Sequence, residues 1–227
     1  MPPGRVKPSP MNSTQWLGLL IPIAYVVGSI PFGLLVGKAR GVDVRAAGSG
    51  NIGATNVGRL LGGKFFALVF TLDLLKGLIP MLLAAWILHG QERNQLTYFL
   101  WLLVGFASIL GHMFSLFLKF RGGKGVATST GVILGLYPYY TLPAVVAIVI
   151  FVVAFLITRY VSVGSILGSA GFAAAYFVIG TILKWNVTGE QLPLLAFAVL
   201  VAVLIILKHR TNISRLIAGT EHKFARR

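Results

Sequence analysis

Cysteine is absent from the 227 residues, which excludes disulfides, thiolate metal sites and a thioester-type covalent intermediate. Carboxylates are nearly absent as well: five Asp and Glu stand against 20 Lys and Arg, for a net charge of +15. With only four His and no H-E-x-x-H or comparable spacing, neither a metal site nor a bound cofactor is expected. Charge of either sign is scarce at 11%, whereas a soluble domain carries about a quarter. In a soluble protein this cationic excess would point to nucleic acid. Here the cations lie between long apolar runs, so membrane topology and an anionic ligand are the readings, and no nucleic-acid partner is expected.

What is abundant is apolar sequence. Hydrophobic residues make up 56% of the chain and the mean hydropathy is +0.85. Residues 16–37, 65–89, 96–118, 126–158, 161–183 and 191–207 form six apolar runs, broken only by Asp73, Lys76 and the titratable His112. A span needs about 20 residues at about 1.5 Å each. The run 126–158 is too long for one straight helix and contains Pro138 and Pro143. It predicts a short helix over 126–137, a break at 137–140 and a span over 141–157. The expected fold is an all-α membrane protein of about seven transmembrane helices, one short or broken.

Seven crossings place 15 of the 20 Lys and Arg on one side. These are Lys38, Arg40, Arg45, Arg59, Lys64, Lys119, Arg121, Lys124, Arg159 and the six in the tail after residue 207. Positive charge marks the cytoplasm, so the N-terminus is expected outside and the C-terminus inside. Arg5 and Lys7 oppose this weakly. The first run is longer than a signal-peptide core, and no A-x-A-like site follows promptly. Residues 1–15 read as a disordered extension and 16–227 as one multi-span domain without internal repeats. Asp73 and Lys76, three residues apart within a span, read as a paired structural charge.

The connections on the cationic side carry the chemistry. Residues 48–59, GSGNIGATNVGR, contain G-x-G-x-x-G, but a span rather than a β-strand precedes them, so a dinucleotide fold is not indicated. Glycines that let N–H groups converge, the neutral donors Ser49, Asn51, Thr55 and Asn56, and the guanidinium of Arg59 suit a phosphate. A plain polar loop with a positive-inside arginine remains open. Residues 111–128, GHMFSLFLKFRGGKGVAT, put Gly-Gly-Lys-Gly just before a helix start, where glycine N–H groups, a helix dipole and Lys124 favour an anion. Lys124 is followed by Gly125 rather than Ser or Thr, so this is no ATP-binding P-loop. In RYVSVGS (159–165), Ser162 either donates to a ligand or caps the next helix. In the tail, His209 and Asn212 would share a helical face if the last span continued.

These blocks, with the ending HRTNISRLIAGTEHKF, resemble the bacterial acyl-phosphate:glycerol-3-phosphate acyltransferase family, over about 17 to 224. The resemblance implies a seven-span enzyme of the bacterial plasma membrane with its site on the cytoplasmic side. It would move an acyl chain from acyl phosphate to the 1-hydroxyl of sn-glycerol 3-phosphate, giving lysophosphatidic acid for phospholipid synthesis. It implies that Ser49, Arg59, Lys124, His209 and Asn212 hold phosphate or assist transfer. It implies a cradle of Gly50, Asn51, Thr55, Asn56, Gly122, Gly123, Gly125 and Thr128, with Ser162 nearby. Acyl phosphate is already activated, so no protein nucleophile is needed, and catalysis would rest on positioning two anions. The alternative H-x-x-x-x-D acyltransferase design is absent, because Asn94, Phe117, Ser214 and Arg227 stand five positions after the four histidines. A transporter of phosphorylated metabolites, suggested by Asp73 and Lys76 among cationic loops, is the competing reading; a non-catalytic lipid-binding scaffold is a third.

Overall fold

The computed structural model describes residues 11–90 and 95–224; most of the 1–15 extension, with Arg5 and Lys7, and the tail cations Arg226 and Arg227 lie outside them. Among the described residues the secondary structure is entirely helical. The helices are α1 (Ser13–Ser29), α2 (Phe32–Ala39), α3 (Ala54–Leu61), α4 (Gly63–Ile87), α5 (Gln95–Met113), α6 (Val126–Gly135), α7 (Thr141–Thr158), α8 (Val161–Ile182), α9 (Leu192–Lys208) and α10 (Arg210–Ile217). Among the described residues, five stretches are long and apolar enough to cross a membrane, or six if the bent pair α9–α10 is one span. The short segment read in the sequence is α6: its ten residues rise about 15 Å, half the hydrocarbon thickness. Outward residues of α7 such as Val145, Ile148, Val149 and Leu156 are half exposed, as a lipid-facing wall requires.

Local chemistry explains the ends and breaks. Helix α1 starts in a capping box: Asn12 Oδ1 accepts the Gln15 N–H at 2.9 Å, and Gln15 Oε1 accepts the Asn12 N–H at 3.0 Å. The first run forms one candidate span, Ser13–Ala39, whose helix is interrupted at residues 30–31. Pro31 forces Ile30 out of helical geometry, so α1 stops there and α2 continues. A break inside hydrocarbon leaves carbonyls that water cannot satisfy. Lys76 Nζ of α4 donates at 2.9 Å to the Ile30 carbonyl, which also accepts the Phe32 N–H at 3.1 Å, and Ser115 Oγ donates to the Ser29 carbonyl.

Close backbone approach holds the bundle. A side chain at Gly77 of α4 would strike the Thr128 carbonyl of α6, and one at Gly131 of α6 would strike that of Leu74. Gly28 and Gly111 do the same for α1 and α5. In lipid, where burial gives helices no advantage over contact with acyl chains, such close packing is what holds them together. The expected pairing of Asp73 with Lys76 is present: the groups lie 2.8 Å apart and both are almost fully buried. Lys76→Met should therefore cost about 3–5 kcal/mol, because it removes the cation paired with a buried carboxylate and one of the two donors to the Ile30 carbonyl. Thermal unfolding in detergent should show a clear drop in midpoint; an unchanged midpoint would contradict this role.

Candidate active site

Four connections distant in sequence meet at one end of the bundle. Arg59 of α3 donates through Nη2 to the His222 carbonyl of the tail at 2.8 Å. Lys124, before α6, donates to Asn212 Oδ1 of α10. The Phe224 N–H donates to the Arg159 carbonyl at 3.0 Å, and Lys208 Nζ donates to that of Met113 at 2.8 Å. The cationic connections are therefore in mutual contact.

Beneath them lies a cavity of about 550 Å³. All five predicted transfer residues line it: Ser49, Arg59, Lys124, His209 and Asn212. Asn51, Thr55, Asn56, Gly125 and Ser162 line it too, whereas Gly50, Gly122, Gly123 and Thr128 do not. The last three have other work. The N–H groups of Gly122 and Gly123 donate to the carbonyls of Met113 and His112 at 3.2 and 3.0 Å, folding the loop back on α5. A side chain on either glycine would collide with His112. Thr128 is fully buried at the α4–α6 crossing. What the glycine loop offers an anion is the start of α6, where Gly125 turns at φ +86° and, with Val126 and Ala127, faces the cavity. The first-turn N–H groups of a helix lack internal partners and carry its positive end.

The first loop is built around Asn56. Its Nδ2 donates to the Val44 and Ala47 carbonyls at 2.8 and 3.1 Å, and its Oδ1 accepts the Ser49 N–H at 2.8 Å. Those bonds spend its amide on holding Ser49 in place. Asn51 accepts the Gly53 N–H at 2.8 Å, which sets the start of α3. From there Arg59, on the second turn of α3, reaches the cavity.

The other wall rests on a carboxylate that sequence reading passed over. Glu221 Oε1 accepts from Ser162 at 3.0 Å and from Asn212 Nδ2 at 2.6 Å, while Oε2 pairs with Arg215 Nε at 2.8 Å. Burial opposes its ionisation, but these hydrogen bonds prevail and hold its pKa below the usual glutamate range. Its one sequence signal was its isolation, as the sole acid in a tail carrying six Lys and Arg. Helices α9 and α10 bend by 54°, and His209 sits at the bend. Its Nδ1 lies 2.7 Å from the Ile205 carbonyl, which only accepts, so Nδ1 carries the proton and Nε2 is the other ring nitrogen.

Charge in this pocket is costly and therefore poised. Burial pulls the Lys124 ammonium down to about 8; Glu221 offsets this in part, while Arg215 and Arg59 add to it. Burial also lowers the half-buried Arg59, with Glu221 opposing. Away from the cations the cavity becomes apolar, lined by Ile133 and Leu134 of α6, Ile148, Phe151 and Val152 of α7, and Phe172 of α8. Leu134, Ile148 and Val152 are 45%, 50% and 42% exposed, so this arm opens at the lipid-facing surface.

Known proteins share this architecture. A profile described as "Glycerol-3-phosphate acyltransferase" matches residues 18–219. The glycerol-3-phosphate acyltransferase of Trichlorobacter lovleyi is 49% identical, covering 88% of this chain and 94% of that protein. That of Aquifex aeolicus is 43% identical, covering 90% and 97%. Two crystal structures of PlsY (YgiH), an integral membrane glycerol 3-phosphate acyltransferase, superpose closely. The glycerol 3-phosphate form is 40% identical with a TM-score of 0.79, and the lysophosphatidic acid form 39% with 0.76; each covers 92% of this chain and 96% of its own. Because the match runs through every helix that lines the cavity, the chain belongs to the glycerol-3-phosphate acyltransferase family.

Proposed function

We propose that this glycerol-3-phosphate acyltransferase takes its acyl group from acyl phosphate and passes it to the 1-hydroxyl of sn-glycerol 3-phosphate. The observation that carries this reading is the continuity of one cavity from a cationic rim at Arg59 and Lys124 to an apolar arm open at the lipid-facing surface. The arm suits an acyl chain still partly in lipid, and the rim suits the phosphates of donor and acceptor. The glycerol oxygen bonds to the acyl carbon, and the bond from that carbon to the phosphate oxygen breaks. Phosphate leaves with the electron pair and carries the hydroxyl proton in the net reaction. The two substrates repel each other, each phosphate bringing up to about −2 charge. Arg59, Lys124 and the α6 N-terminus offset that repulsion, and their fixed placement favours the charge developing on the leaving phosphate.

In this reading Ser49 and His209 Nε2 complete the polar contacts, while Asn212, held by Glu221, orients Lys124. Asn56 and Asn51 act by shaping the loop, and Ser162 acts by fixing Glu221. The mutual contact of the cationic connections supports a cytoplasmic site in the bacterial plasma membrane, with the N-terminus outside. The transport alternative drew on Asp73 and Lys76, and Lys76 is committed to Asp73 and the Ile30 carbonyl.

Purified protein given acyl phosphate and glycerol 3-phosphate should release phosphate and form lysophosphatidic acid. Acyl-CoA or acyl carrier protein serving equally well would overturn the donor assignment, and uptake into vesicles without chemistry would restore the transporter. Lys124→Ala and Arg59→Ala should each lower kcat/KM by about 100-fold, since each removes a charge-assisted phosphate contact.

The acidity of Lys124 sets a pH limit. Its cation is the binding form, and the free enzyme loses it as pH rises through about 8. The acceptor phosphate is already a dianion there, its second pKa being about 6. A plot of kcat/KM for glycerol 3-phosphate against pH should therefore fall above about 8. Lys124→Arg should move that fall upward; the same alkaline limb in both proteins would show that another group controls it.

A further inference from the structure

The cavity floor contains polar groups that the phosphate chemistry leaves unused. Ser129 of α6 is 1% exposed and lines the cavity, yet its hydroxyl has no partner in the structure. Thr128 Oγ1 is also unpartnered but lies away from the cavity, whereas the other helical hydroxyls at the cavity behave differently. Thr130, Ser165 and Ser169 also line the cavity, and each returns its hydroxyl to a carbonyl of its own helix at 2.9 Å. That is how helical serines and threonines usually satisfy themselves in a dry environment. His112 of α5, a helix packed against α6, is 4% exposed and lines the same cavity, and its Nδ1 has no partner closer than Asp73. That nitrogen is 3.6 Å from Asp73 Oδ1, and Asp73 lines the same floor.

Buried polar groups left unpaired cost stability, so two on adjacent helices facing one cavity indicate a ligand that completes them. The charge pattern says which part of the ligand. A phosphate belongs at the rim with Arg59 and Lys124, because the Asp73 carboxylate would repel it from the floor. An uncharged hydroxyl, both donor and acceptor, suits a serine, an imidazole and an ion-paired carboxylate. One helical turn, about 6 Å, separates the Gly125 start of α6 from Ser129. That is comparable with the reach of a three-carbon phosphate ester whose phosphate sits at the helix start.

We propose that Ser129 and His112, backed by Asp73, form a hydroxyl-recognition site that holds the secondary, C2 hydroxyl of glycerol 3-phosphate and so aims the C1 hydroxyl at the acyl carbon. The proposal rests on the acceptor reading above and adds specificity residues to it. The test uses two acceptors with one acyl phosphate donor: sn-glycerol 3-phosphate, and 3-hydroxypropyl phosphate, which keeps the attacking hydroxyl and lacks the C2 hydroxyl. Wild-type enzyme should prefer glycerol 3-phosphate in kcat/KM by about tenfold or more, the usual penalty for leaving such a site unpaired. Ser129→Ala should erase most of that preference by lowering the glycerol 3-phosphate value alone, and His112→Gln should act in the same direction.

Equal loss on both acceptors in Ser129→Ala would mark the serine as structural and overturn the proposal. So would a wild-type enzyme that does not distinguish the acceptors, a result that needs no variant to fold. Failure of wild type to acylate glycerol 3-phosphate would instead refute the underlying acceptor reading.

Discussion

The site depends on a chain of hydrogen bonds that keeps cations charged at the edge of a medium that disfavours charge. Lys124 is bound to the neutral amide of Asn212, not to a carboxylate. The carboxylate stands one bond further on, where Glu221 receives Asn212, Ser162 and Arg215. A direct ion pair would have neutralised Lys124 and closed it to phosphate. Burial pulls it down to about 8, and its distance from Glu221 leaves it available to an incoming anion. The same chain ties α8, α10 and the tail to the loop before α6, so the electrostatic arrangement is also what assembles the wall.

The cavity divides its chemistry along its length. At one end, Arg59, Lys124 and the start of α6 provide positive charge. At the other, α6, α7 and α8 provide an apolar arm reaching the lipid-facing surface. The acyl transfer proposed above, between two phosphorylated partners of which one carries a fatty chain, calls for both ends in one space. It calls for no protein nucleophile, since the donor is activated and the protein's part is positioning and charge. The polar floor of Ser129, His112 and the ion-paired Asp73 adds a third environment, suited to the uncharged part of the small acceptor.

Irregular backbone is concentrated where it serves this arrangement. The α1–α2 break, the short α6 and the 54° bend at His209 would each be costly in plain lipid-facing helices. The break at Pro31 is closed by Lys76 and Ser115 from neighbouring elements. The start of α6 and the bend at His209 instead face the cavity, where a substrate can complete their hydrogen bonding.

Apolar run length and the scarcity of charge were enough to read an all-helical membrane protein, the short helix after residue 125 and the break near Pro138. Glycines beside Lys124 and Arg59 pointed to an anion site, and the combination of blocks pointed to the family. Local pattern could not say which N–H groups remain free: Gly122 and Gly123 spend theirs on the end of α5, and Asn56 spends its amide within the first loop. Nor could it pair Arg59 with His222, 163 residues away, or Lys124 with Asn212, 88 away. Periodicity assigns a residue to a face of its helix but is silent on what packs against that face. The roles of Glu221, Ser129 and His112 come from the way helices remote in sequence bring their faces together, and so only the tertiary structure decides them.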